Sequence, residues 1–235
     1  IGKNLFQQEA VALAAAFFLS TSLFHILLSS VGRHWLPVSF LLILSWWFLT
    51  NNSLSLKKRY FGALLISGIG MGISPISILS AVFIFYWLVF YDRANLSKLI
   101  RDRHWYLLAL IFVLLSVLPG ILYPQSFGFR ADLTFQDGKS VWGAIQSPFL
   151  LMKKVVMSEP VLMIFAAIGL AIFFIYQRNL FWAVFLFLYT YSAIFYLFFR
   201  YEHRFTISLF PIIALTAAVG FAYLYQKFSF RILKG

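Results

Sequence analysis

The sequence contains no cysteine, which excludes disulfides, thiolate catalysis and cysteine-ligated metals. It is also poor in charge: 11% of its 235 residues are charged, where a soluble domain averages about a quarter. Acids are scarcest, with 7 Asp and Glu against 19 Lys and Arg, a formal net charge of +12. The four histidines, His25, His34, His104 and His203, show no metal-ligand spacing. No P-loop, dinucleotide fingerprint or nucleophile elbow is present, which argues against an energy-coupled ATPase within the chain. No internal repeat or low-complexity tract interrupts it.

What is present is apolar surface. Hydrophobic residues make up 62% of the chain and the mean hydropathy is +0.88. Too few polar residues remain to cover a water-facing surface, so lipid is the expected solvent. Long apolar runs occupy residues 10–30, 36–50, 61–91, 105–123, 160–176, 180–199 and 205–225. A membrane helix needs about 20 such residues. The run 61–91 is broken by Gly72-Ile73-Ser74-Pro75, where proline removes a backbone donor. Two short helices, about 61–73 and 76–91, are expected there as a hairpin. The predicted fold is an all-α polytopic transmembrane bundle of about 7–8 membrane segments in one domain, 1–235, with one long external loop at 124–159. Trp142 and Phe149-Leu150-Leu151-Met152 predict a short interfacial helix in that loop.

Basic residues set the orientation. With both termini, the 51–60 turn and the 92–104 loop cytoplasmic, 12 basic and 3 acidic residues lie inside, against 7 basic and 4 acidic outside. A single span over 61–91 would separate Lys57-Lys58-Arg59 from the basic 92–104 loop, so the charges also favour the hairpin. The excess of positive charge is thereby assigned to topology and anionic lipid rather than to nucleic acid.

Candidate site residues gather at the external ends. His25, Ser29 and Arg33 follow an i, i+4, i+8 spacing, with His34 next in sequence. The run Arg200-Tyr201-Glu202-His203-Arg204 separates two long apolar segments, and on a helix Arg200, His203 and Arg204 share a face. Arginine suits phosphate because its planar fork donates two parallel hydrogen bonds. Arg33, Arg200 and Arg204 are therefore the expected phosphate-binding residues, supported by His25, His34, Glu202 and His203. Asp132 and Asp137 are acceptor-side candidates in the long loop. The plainer roles are interfacial anchoring for the arginines, packing for His25 and solvation for the loop acids. Gly68, Gly70 and Gly72 are expected to allow close helix packing.

The order of these features resembles GT-C-type polytopic glycosyltransferases, the bacterial relatives of protein O-mannosyltransferases and of the aminoarabinose lipid A transferase. The residues that carry the resemblance are the run Ala-Phe-Phe-Leu-Ser-Thr-Ser-Leu-Phe-His-Ile-Leu-Leu-Ser-Ser-Val-Gly-Arg-His-Trp at 16–35 and the glycine-rich hairpin ending at Pro75. Leu118-Pro119 before the long loop and the Arg-rich turn leading to Pro211 complete it. The resemblance implies transfer of a sugar from a polyprenyl-phosphate donor to an acceptor at the external face of the cell membrane. It names no cofactor here and leaves room for a divalent metal in a full-length enzyme. The family's catalytic acid lies in an external loop preceding such an alanine-rich helix. The chain is therefore expected to be an N-terminally truncated fragment, inactive alone, with its catalytic residue unassigned. The competing readings are a transporter or flippase of lipid-linked saccharides and a surface polysaccharide polymerase or ligase.

Overall fold

A computed structural model describes residues 1–6, 8–23, 25–26, 35–74, 77–122, 140–198 and 208–232. Every regular element among them is helical. In chain order they are α1 (Gly2–Phe6), α2 (Glu9–Thr21), α3 (Trp35–Thr50), α4 (Leu56–Ile73), α5 (Ile78–Tyr86), α6 (Arg93–Ile100), α7 (Arg103–Leu122), α8 (Val141–Ser158), α9 (Pro160–Tyr176), α10 (Arg178–Phe198) and α11 (Phe210–Ile232), with a π-helical turn at Trp87–Tyr91 extending α5. The expected all-α bundle is present. Among the described residues no helix is long and apolar enough to cross a membrane.

The first apolar run shows one reason for short helices. Helix α2 ends at Thr21, nine residues before the expected end at residue 30. Ser20 and Thr21 both turn their hydroxyls back onto the Phe17 carbonyl, at 3.0 and 2.8 Å. Ser22 then takes an extended conformation at ψ 111°. Short polar side chains that bond their own backbone compete with the helix ladder. His25 consequently follows a break rather than extending the helix that ends at Thr21. Ser29 and Arg33 lie outside the described residues.

The hairpin forms. Helix α4 ends at Ile73, and Ser74, at φ −157°, is extended. Helix α5 returns toward the start of α4. Arg59 of α4 donates to Asp92 beyond the π turn at 3.1 Å, and the Tyr60 hydroxyl donates to the same carboxylate oxygen at 3.0 Å. Arg59 also donates from Nε to the Leu49 carbonyl at the end of α3 (2.7 Å). The π turn is registered by the Asp92 N–H, which donates to the Trp87 carbonyl five residues back at 2.9 Å. Gly68 faces Leu115 and Phe112 of α7, the packing role expected of it, and Gly70 faces Ser77 across the bend.

A core of aromatic side chains joins the hairpin to its neighbours. Trp46 meets Phe83 edge to face at 5.1 Å, and Phe83 meets Phe187 of α10 at 5.0 Å. The closest helix pair is α9 with α11. A Cβ on Gly169 would overlap the Thr216 carbonyl oxygen, and one on Gly220 would overlap the Phe165 carbonyl oxygen, so the two backbones touch. The helix expected within the second half of the long loop is present and longer than expected. Residues 141–158 form the 18-residue helix α8, with Pro148 inside it, capped by the Ser140 hydroxyl accepting from the Gly143 N–H at 3.0 Å.

Candidate functional site

Helix α3 separates two polar clusters. At its far end stand Leu49, Arg59 and Asp92. Near its start, Ser39 donates to Ser208, which precedes α11, at 3.3 Å. The Tyr191 hydroxyl of α10 shares a hydrogen bond with Ser208. Ser39, Tyr191 and Ser208 are each 2% exposed, so three elements are tied by buried hydroxyls at one end of the bundle.

The end of α2 joins this region. Its residues Ala15, Ala16 and Leu19 face Pro211 and Leu215 of α11 across a cleft of about 460 Å³ that also reaches Phe40 and Trp46 of α3. Just past Leu19, the buried Ser22 hydroxyl donates to Glu159 Oε1 at 2.9 Å. The same hydroxyl accepts from the His25 backbone N–H at 3.1 Å. One serine therefore couples the turn that carries His25 to the acid between α8 and α9. A hydrogen bond to a charged group contributes about 1.5–3 kcal/mol. Glu159 precedes Pro160, the first residue of α9, where the positive end of the helix dipole also favours a carboxylate. The His25 ring is half-buried, and its Nδ1 has no hydrogen-bond partner among the described residues.

Of the residues expected to form the site, the structure places His25. Arg33, His34, Asp132, Asp137, Arg200, Glu202, His203 and Arg204 lie outside the described residues. Two of them lie close in sequence to the Ser39–Ser208 contact. Arg33 stands six residues before Ser39 and Arg204 four before Ser208, and those two serines touch. Sequence reasoning missed Ser22 and treated Glu159 only as a loop charge. The available signal was an acid placed directly before a proline that opens a fully apolar helix. It also missed the serine–tyrosine contacts, because Ser39, Tyr191 and Ser208 are far apart in sequence and each is unremarkable alone. Among the described residues no group of three His, Asp or Glu side chains could hold a metal ion.

Comparison with family models, with curated proteins and with solved structures found no match for this chain.

Proposed function

We propose that this chain is the lipid-embedded scaffold of a GT-C-type glycosyltransferase, moving a sugar from a polyprenyl-phosphate donor to an acceptor outside the cytoplasmic membrane. The observation that carries the reading is the apolar cleft between α2, α3 and α11 opening beside the polar end that holds Ser22, Glu159, Ser39 and Ser208. A polyprenyl phosphate has this two-part chemistry: its chain needs an apolar groove, and its phosphate needs cations at the groove's mouth. Arg33 and Arg204 belong to the segments leading into Ser39 and Ser208, and Arg200 to the same segment as Arg204.

In the proposed reaction the acceptor oxygen bonds to the anomeric carbon as the bond from that carbon to the donor phosphate breaks. The departing oxygen keeps the electron pair, and the arginines stabilise the charge. A general base takes the acceptor proton. Glu159, held by Ser22, positions the turn that carries His25.

Support for a lipid environment comes from the outer surface. Helix α7 exposes Tyr106, Leu110, Val113, Leu114 and Ile121, an apolar stripe at helical spacing that faces away from the bundle. Leu13, Phe149 and Met157 are each more than 70% exposed. An exposed apolar helix face of this kind marks contact with lipid or protein. Helices shorter than the hydrocarbon core are accommodated by bilayer thinning and by flanking basic side chains that reach the interface.

Two experiments test the proposal. Single cysteines at Ser53 and Ser140 should be labelled from opposite faces of sealed vesicles. Labelling from one face would refute the topology. Arg200→Ala and Arg204→Ala should each weaken donor affinity by about tenfold or more while leaving thermal stability unchanged, and lysine should rescue only in part. Unchanged affinity, or a loss that follows unfolding, would make these residues interfacial anchors.

A further inference from the structure

A second cavity, of about 590 Å³, lies between α3, α4 and α7. Its walls are apolar, with Phe48, Leu65 and Leu108 among them, and two of its lining residues, Phe61 and Leu107, are 41% and 56% exposed. Its volume lies within the range of about 300–1,000 Å³ common to small-molecule sites. Gly62 shapes the wall: a Cβ there would strike the Phe48 ring, so the ring lies flat against α4 only because residue 62 is glycine.

Basic side chains outnumber acidic ones around this cavity. Lys57, Lys58, Asp102 and His104 line it. Asp102 is ion-paired with Lys57 and receives hydrogen bonds from the His104 backbone N–H at 3.0 Å and from the ring at Nδ1 (2.8 Å). These contacts, that of Lys57 foremost, hold its carboxyl well below the usual carboxylate range. The acid is thus occupied in arranging Lys57 and His104. Lys58 is exposed and makes no ion pair among the described residues, and the same holds for Arg101 and Arg103, which flank Asp102 in the chain.

We propose that this cavity binds an anionic diacyl phospholipid of the surrounding bilayer, with acyl chain along Phe48, Leu65 and Leu108 and phosphate at Lys57 and Lys58. Apolar walls that include exposed side chains suit a chain already dissolved in lipid, and basic pockets beside membrane helices favour anionic headgroups. The site is distinct from the proposed donor groove: it lies on the side of α3 that faces α4 and α7, against the hairpin's base. The inference rests on the reading that the bundle sits in a bilayer.

The test uses the full chain, purified in a zwitterionic detergent and titrated separately with phosphatidylglycerol and phosphatidylcholine, with thermal unfolding as readout. Phosphatidylglycerol should raise the melting temperature by several degrees and phosphatidylcholine should not. Lys58→Glu, at an exposed position, should weaken the phosphatidylglycerol effect by about tenfold. Leu65→Trp, which fills the cavity, should abolish it. Equal stabilisation by both lipids, or an undiminished effect in both variants, overturns the proposal. Flotation with vesicles of each lipid separates the two levels of the argument. Failure to float with either removes the bilayer reading and this site with it, whereas flotation with both and no lipid preference removes this site alone.

Discussion

Replacing Gly220 by leucine should destabilise the bundle by about 3 kcal/mol or more, at the upper end of the usual overpacking range. The site has no means of yielding. A Cβ at Gly220 would overlap the Phe165 carbonyl oxygen and lie 2.9 Å from the Gly169 nitrogen, and both atoms belong to the backbone of α9. Side chains relieve crowding by changing rotamer, whereas a helix backbone relieves it only by moving as a whole. Gly169→Leu should act equally, because its Cβ would meet the Thr216 carbonyl from the other side. The double variant should be little worse than either single one, since separating the helices once relieves both overlaps. Thermal unfolding in detergent measures all three. A Gly220→Leu protein melting within a degree or two of the parent would show that α9 and α11 do not meet at these glycines.

The second large effect is expected at the base of the hairpin. Asp92→Ala should cost roughly 3–5 kcal/mol, because it strands the Arg59 guanidinium away from water. Both side chains are 13% exposed, and Asp92 is the shared acceptor of Arg59 and Tyr60. Arg59→Met combined with Asp92→Leu should recover most of that loss, since a buried ion pair replaced by apolar groups of similar size is often close to neutral. Tyr60→Phe removes one neutral donor and should cost nearer 1 kcal/mol. If Asp92→Ala proved no less stable than the double replacement, the pair would be solvated and the hairpin held by packing alone.

The sequence announced those helices whose ends are punctuated by proline or by abrupt polarity. The run 160–176 matches α9 residue for residue, because Pro160 opens it and Gln177 closes it. The hairpin was legible for two independent reasons, the Gly/Pro break and the basic residues at both of its outer ends. The early end of α2 was not, since hydrophobicity continues past Ser20-Thr21-Ser22 and only local hydroxyl bonding reveals the stop. Helix α8 was underestimated because its lysines and Pro148 dilute a periodicity that the full 18 residues nevertheless carry. Hydrogen bonds between distant residues, such as Ser22 with Glu159, leave no trace in spacing. The tight glycine pair was overlooked for a related reason. Gly169 and Gly220 are isolated in their own helices, while the more conspicuous glycines of the hairpin make looser contacts.

The π turn at Trp87–Tyr91 acts as a phase adjuster. It accommodates one residue more than an α-helical turn would, and each residue rotates the following chain by about 100° around the axis. Asp92 reaches Arg59 only after that extra increment. Deleting a single residue between 87 and 91 would leave a regular helix, locally better hydrogen-bonded than before, yet would swing the carboxylate away from its guanidinium. The fold therefore holds a local irregularity whose repair would undo a distant contact, and the number of residues from Trp87 to Tyr91 matters to that contact independently of their side chains.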